Sequence, residues 1–262
     1  MVRLLISPWR GKSPQITITM LSTRQSALLD AIIKEYTATA KPVSSGQLVD
    51  REELDISTAT VRHDMVALED AGYLLQPYTS AGRVPTEQAW RWYVKRVTPE
   101  TTVGKRERDH LESVAHAHRD SEQEMLRRLA KALAEIIESA VIIAFDKTDT
   151  YYTGLANLFQ QPEFEDVNIL QNLSKVVDHL DEVMARMYGR IGQDVRVLVG
   201  RDNPFSASCG TLLGRYTTPR HPAPSGAGPG STGIIAFLGP LRQDYGEHLA
   251  ILRYTQSLLQ TV

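Results

Sequence analysis

From Ile56 to Thr86 the chain reads I-S-T-A-T-V-R-H-D-M-V-A-L-E-D-A-G-Y-L-L-Q-P-Y-T-S-A-G-R-V-P-T. Ser57 is a good N-cap for a helix over Thr58–Ala71, and Gly72 ends it. At 100° per residue, Val61, Met65 and Leu68 share one stripe and should pack inward. Ala59, Arg62, His63 and Val66 fall on the other side, with Thr60 at the flank. These outer residues are small, cationic or hydrogen-bonding, and they sit near a helix N-terminus, where the dipole favours phosphate. An ordinary solvated face with one Arg and one His fits the helix alone equally well.

The next segment separates those readings. Tyr73–Gln76 has the composition of a strand, Thr79–Gly82 of a turn, and Arg83–Thr86 of a return strand that Pro85 keeps at an edge. A two-stranded wing with Arg83 at its tip and Thr79 and Ser80 in its turn reaches toward phosphates or a minor groove, whereas a plain surface hairpin has no such task. Upstream, Ser22 caps a helix carrying Leu28, Leu29, Ile32, Ile33 and Tyr36, which stops at Thr39–Pro42. Ser44 or Ser45 caps a second, ending near Leu54. Three short helices and a hairpin make a winged helix-turn-helix over residues 21–97. Its candidate DNA-binding residues are Ser57, Ala59, Thr60, Arg62, His63, Val66, Thr79, Ser80 and Arg83. Glu87–Val97 adds a helix with Trp90, Trp92, Tyr93, Arg91, Lys95 and Arg96. Those aromatics read as a tie between the head and the remainder of the chain, in preference to a platform for single-stranded bases.

Charge argues less clearly. The chain carries 29 Lys and Arg against 31 Asp and Glu, a formal net charge of −2 over 262 residues. Ser22–Arg96 has no basic excess. DNA binding must then rest on where charges sit. Cys209, the single cysteine, excludes an intramolecular disulfide and a cysteine-based zinc cluster from this chain alone, and fits a reducing cytoplasm. Pro8 cuts the first apolar run too early for a signal peptide, no run is long enough to span a membrane, and Met1–Met20 reads as a disordered tail or a misassigned start.

Beyond the head, residues 98–140 read as a hinge followed by one long charged helix from Lys105 to Ala140. Its apolar stripe runs through Leu111, Val114, Ala115, His118, Met125, Leu126, Leu129, Leu133, Ile136 and Ile137, suiting helix packing or a dimer seam. His116 and His118 face different ways, so no metal site is read there. Strands are expected at Ala140–Phe145, Val195–Gly200, Cys209–Thr217 and Gly233–Leu238. Asp146–Tyr152 reads as loop, Gly154–Phe164 as a turn-rich connection, Val167–Tyr188 as one amphipathic helix and Gln243–Leu259 as the last, with Asp244 and Tyr245 at its cap. Thr218–Gly230, rich in Pro and Gly, reads as a mobile surface loop, and its G-A-G-P-G is no phosphate loop because Pro229 lacks a donor. The fold class is α+β, with an antiparallel or mixed sheet between helices in residues 141–262. No catalytic constellation, cofactor motif or metal cluster is present in the pattern, so an enzyme is the weakest reading.

Several runs together resemble one family. Leu21-Ser22 with Arg24-Gln25, Pro42-Val43 with Ser45 and Leu48, Ala59 to Met65, Leu68-Glu69, Gly72-Tyr73-Leu74 and above all Thr79 to Thr86 (T-S-A-G-R-V-P-T) look like the DNA-binding head of the heat-inducible transcription repressor family HrcA. The resemblance resumes at Gly154, Asn157-Leu158, Pro162-Glu163-Phe164, Gly200 to Asn203, Gly239-Pro240, Arg242 and Asp244-Tyr245. His63, Tyr78, Ala89-Trp90, Leu241 and Gln243 depart from the family's usual Asn, His, Gly-Tyr, Thr and Met. The resemblance implies a winged head, a GAF-like domain at 141–262, and a dimerising domain inserted into the latter, here largely absent between Ala140 and Gly154. It further implies a homodimeric repressor on an inverted-repeat operator of chaperone operons, kept active by a GroE-type chaperonin and released on heat stress. The alternative is a winged-helix protein-interaction or ligand-sensing regulator without that operator.

Overall fold

Local capping explains where the first helices begin. In the computed structural model, which describes residues 21–51, 57–97, 102–117, 121–219, 222–223, 226–227 and 230–262, helix α1 covers Thr23–Thr39. The Ser22 hydroxyl accepts from the Gln25 N–H, and the Gln25 side chain accepts from the Ser22 N–H, a reciprocal box that uses two donors left open at a helix start. Ser44 and Gln47 repeat the device for α2, Ser45–Arg51. Residues 52–56, where α2 was expected to end, lie outside the described residues.

Helix α3, Thr58–Asp70, begins under the Ser57 cap and ends where Gly72 takes φ +81°, letting the Tyr73 N–H return to the Leu68 carbonyl at 2.9 Å. Strands β1, Leu74–Leu75, and β2, Val84–Pro85, pair antiparallel with Leu74 opposite Pro85. Thr86 caps α4, Glu87–Val94. Leu28, Leu29, Ile32 and Ile33 of α1, Leu48 of α2, Val61, Met65 and Leu68 of α3, and Trp90 of α4 are all buried. Trp90 packs against the half-buried Tyr36 and Tyr93, with ring centroids 6.4 and 6.2 Å apart, and itself belongs to the head core.

Among the described residues, those from Leu21 to Val97 form one compact unit and those from Thr102 on form another. In the second, the expected long helix is two: α5, Lys105–Ala117, and α6, Glu122–Ile136, which pack together. Ser121 is extended, at φ −145° and ψ 111°, and caps α6, so helical periodicity runs across a break it does not register. His118 lies outside the described residues. Then come β3, Ala140–Ala144, and β4, Thr150–Thr153, which corrects the loop expected there. Thr150–Thr153 gains ladder partners from Val141–Ala144, a tertiary contact that a four-residue window does not reveal.

Helix α7, Leu155–Phe159, and a 3-10 turn, Pro162–Glu165, follow. The helix expected over Val167–Tyr188 divides into α8, Val167–Val177, and α9, Leu180–Tyr188, because His179 leaves helical geometry. β5 spans Arg196–Val199, β6 Cys209–Thr217, β7 Pro222–Ala223, β8 Gly226–Ala227, and β9 Thr232–Pro240, before α10, Tyr245–Leu259. Of the loop expected at Thr218–Gly230, β7 and β8 pair with each other and residues 220–221, 224–225 and 228–229 lie outside the described residues.

The five-stranded sheet runs β4-β3-β9-β6-β5, antiparallel throughout. Because side chains alternate along a strand, Ala140, Ile142, Ala144, Ile234, Ala236 and Leu238 share one face and join Leu173, Val183, Met184 and Met187 in an apolar core. The other face carries Phe237, whose ring meets the His248 edge of α10 at 6.4 Å. The chain is thus mixed α and β, with helices on both faces of its sheet.

Candidate nucleic-acid interface

Helix α3 sorts its residues as the 100° pattern requires. Val61, Met65 and Leu68 are buried, while Ala59, Arg62, His63 and Val66 are exposed. The His63 side chain is 84 % exposed. At the helix start, Ser57 Oγ accepts from the Thr60 N–H at 3.2 Å and lies 2.9 Å from Thr60 Oγ1, so Ser57 and Thr60 hold each other and present their remaining polar capacity to solvent. Six of the expected contacts, Ser57, Ala59, Thr60, Arg62, His63 and Val66, therefore lie on one helix with an accessible side.

Asp64 was not singled out in the sequence, although it falls three residues after Val61 on the inward stripe. Its carboxylate is 3 % exposed and needs a counter-charge. Arg24 of α1 provides one through both oxygens, Nε donating to Oδ2 at 2.6 Å and a terminal NH2 to Oδ1 at 3.0 Å. The carboxylate in turn raises the Arg24 guanidinium above its ordinary value, by hydrogen bond first and by charge second. His63 Nδ1 stands 3.9 Å from the same Oδ1.

The hairpin places Tyr78, Thr79 and Ser80 at its outer end, all exposed, and Tyr78 is 64 % exposed. Gln76 Nε2 donates to the carbonyls of Thr79 and Ala81, both at 2.9 Å, which fixes the turn. Arg83 does not stand at that tip. Its N–H donates to the Val43 carbonyl at 2.8 Å and its carbonyl accepts from the Val43 N–H at 2.9 Å. Its guanidinium, 17 % exposed, donates from Nε to Glu69 Oε2 at 2.8 Å. The expected tip residue is instead the root of the wing, pinned on one side to the loop before α2 and on the other to α3. Gly82 permits this, since a Cβ there would collide with the Val43 carbonyl and lie 2.8 Å from the Pro42 carbonyl carbon.

In the second unit, the family-like residues serve architecture. Arg242 Nε lies 2.6 Å from Glu163 Oε1, and its terminal NH2 donates to Gln161 Oε1 at 2.9 Å, joining the β9–α10 turn to the 3-10 turn. Asn157 donates to the Ala134 carbonyl, Asn203 to the Cys209 carbonyl and to Thr211, and Asp244 caps α10 by accepting from the Glu247 N–H. Burial pushes the Cys209 thiol up to about 12, which leaves it inert. Among the described residues no group of three His, Cys, Asp or Glu is placed to hold a metal ion, and no helix is long and apolar enough to cross a membrane.

Where the resemblance puts an insert, the chain closes in a tight turn. The Phe145 N–H donates to the Asp149 carbonyl at 2.9 Å. The Asp146 carboxylate accepts from the N–H groups of Thr148 and Asp149, which holds it below its ordinary range.

Comparison with known proteins bears on both units. Residues 94–248 match the family model for the HrcA protein C terminal domain. A heat-inducible transcription repressor HrcA of Thermobifida fusca is 39 % identical over 126 residues, covering 48 % of this chain and 36 % of that protein. Such matches span about a third of the relatives' length. One from Brevibacillus brevis is 24 % identical over an alignment of 336 residues, which takes in 90 % of this chain and 96 % of the other and is longer than the 262-residue chain itself. A crystal structure described as that of a hypothetical protein superposes with a TM-score of 0.72 at 18 % identity, covering 92 % of this chain and 98 % of that one, a likeness of fold alone. With more than half of its length inside the family model, the chain belongs to the HrcA family.

Proposed function

We propose that the protein is a sequence-specific DNA-binding transcription repressor of heat-shock chaperone operons. Its head is a winged helix-turn-helix at residues 21–97, followed by a hinge with helices over 98–140 and a GAF-like domain at 141–262. The observation that carries this reading is the outer face of α3, where Ala59, Arg62, His63 and Val66 are exposed beside a wing fixed to the same helix through Arg83 and Glu69. A helix with such a face suits the major groove, where base edges differ in their donor and acceptor patterns. Ser57 and Thr60 at its N-terminus face the phosphate end of the contact, and Thr79 and Ser80 extend it along the backbone. Arg83 supports that surface from beneath.

A homodimer on an inverted repeat would set two copies of α3 a whole number of turns apart, about 10 base pairs per turn. The relatives named as heat-inducible transcription repressors support release on heat stress, and a GroE-type chaperonin is the partner the family resemblance suggests. The balanced charge of the head favours a second reading, in which the winged head docks a protein. A gel shift of the purified protein on chaperone-promoter fragments and on unrelated DNA of equal length separates the two. Retardation of the promoter fragment at concentrations that leave unrelated DNA free supports the repressor, and no retardation of either sinks it.

A further inference from the structure

We infer that Arg24, at the start of α1, is a phosphate-contacting residue held in place by the buried Asp64 of α3, so that the DNA-binding surface extends from α3 onto α1. The inference rests on the DNA-binding reading above. Three observations converge. First, the Asp64 carboxylate is nearly sealed, at 3 % exposure, whereas the Arg24 side chain that pairs with it is 57 % exposed. Nε and one terminal nitrogen serve Asp64, at 2.6 and 3.0 Å, and the guanidinium carries five N–H donors, so the outer edge of the fork still has donors for another oxygen acceptor.

Second, the ion pair borders the exposed face of α3. Asp64 Oδ1 is 3.0 Å from the Arg24 terminal nitrogen and 3.9 Å from His63 Nδ1, which places Arg24 beside the imidazole that α3 exposes. Third, the pairing fixes the guanidinium plane. A surface arginine gives up rotamer freedom when it meets a phosphate, but one already held through two bonds has less to lose. A fork locked at its inner edge and open at its outer edge is the geometry that recognises a tetrahedral anion on a duplex backbone.

The obvious variant, Arg24→Gln, leaves Asp64 buried without its counter-charge and will unfold more easily, so the informative variant is the double one, Arg24→Gln with Asp64→Asn, which removes both charges together. Binding of wild type and double variant to a chaperone-promoter duplex and to random duplex is measured by fluorescence anisotropy across salt concentration, alongside thermal unfolding. Each phosphate contact contributes about 0.9 to the slope of log K against log salt. The double variant should keep a cooperative transition, lose about 0.9 of slope per bound protomer, and weaken on both duplexes by the same factor, because a phosphate contact carries no sequence information. An unchanged slope with an altered ratio of promoter to random binding would make Arg24 a mere strut for α3 and overturn the inference while leaving the function intact. Failure of wild type to bind either duplex overturns both.

Discussion

Arg62 and Arg83 sit twenty-one positions apart in sequence and have opposite environments, one exposed on α3 and one half-buried against Glu69. Arg62 is exposed on α3, and if it reads a base edge, Arg62→Ala should cost roughly 1–3 kcal/mol of binding to the operator and relax preference at one position. Equal weakening on operator and random DNA would reduce it to a phosphate contact. Arg83 is tied to Glu69 and Val43, so Arg83→Ala should leave the salt slope of DNA binding unchanged and lower head stability by about 1 kcal/mol in urea unfolding. A slope that falls by one unit contradicts its placement at the root of the wing. His248 makes the pH prediction. Burial lowers it to about 4 from 6.5, so the unfolded chain takes up the proton first. Its contribution is complete above about pH 6.5, is lost as pH falls toward 4, and levels off below, by roughly 3 kcal/mol in all. His248→Gln should flatten that part of the urea midpoint against pH, and an unflattened profile would assign the acid sensitivity elsewhere.

Among the elements, the wing shows what local pattern does and does not disclose. The two faces of α3 were legible because burial follows a 100° period within thirteen residues, and Asp64 was visible on the inward stripe to anyone asking where a carboxylate there finds its cation. The position of Arg83 was not legible. It depends on hydrogen bonds to Val43, in a different part of the chain, and on a two-residue ladder too short to announce its register. The same limit applies to β4, which is a strand because β3 is beside it, and to the α5–α6 and α8–α9 breaks, where the apolar stripe continues after the helix axis has changed. Gly82 tests the anchoring of the wing. Gly82→Ala puts a methyl group into the Val43 backbone and should cost about 1–3 kcal/mol of head stability in urea unfolding. A variant as stable as wild type would show that the hairpin root can shift away from Val43 without penalty.

At the scale of the molecule, the second unit is a closed α+β body whose family-like residues, Asn157, Asn203, Arg242 and Asp244, fasten turns and helix ends to the sheet. The cap at Asp244 was legible, because its partner Glu247 lies three residues on in the same helix; the work of Asn157, Asn203 and Arg242 was not, since each of their partners lies on another element. The tight turn at Phe145–Asp149 joins β3 directly to β4, and symmetry on DNA is the property of the whole protein that the proposed function leaves most open to measurement. A hydroxyl-radical footprint of the purified protein across a chaperone promoter, with a heated sample run in parallel, reads it directly. A homodimeric repressor should leave two equivalent protected segments related by a two-fold axis, centred a whole number of turns of about 10 base pairs apart, and both should disappear in the heated sample. Protection that is absent, or that covers unrelated DNA equally, would contradict that reading.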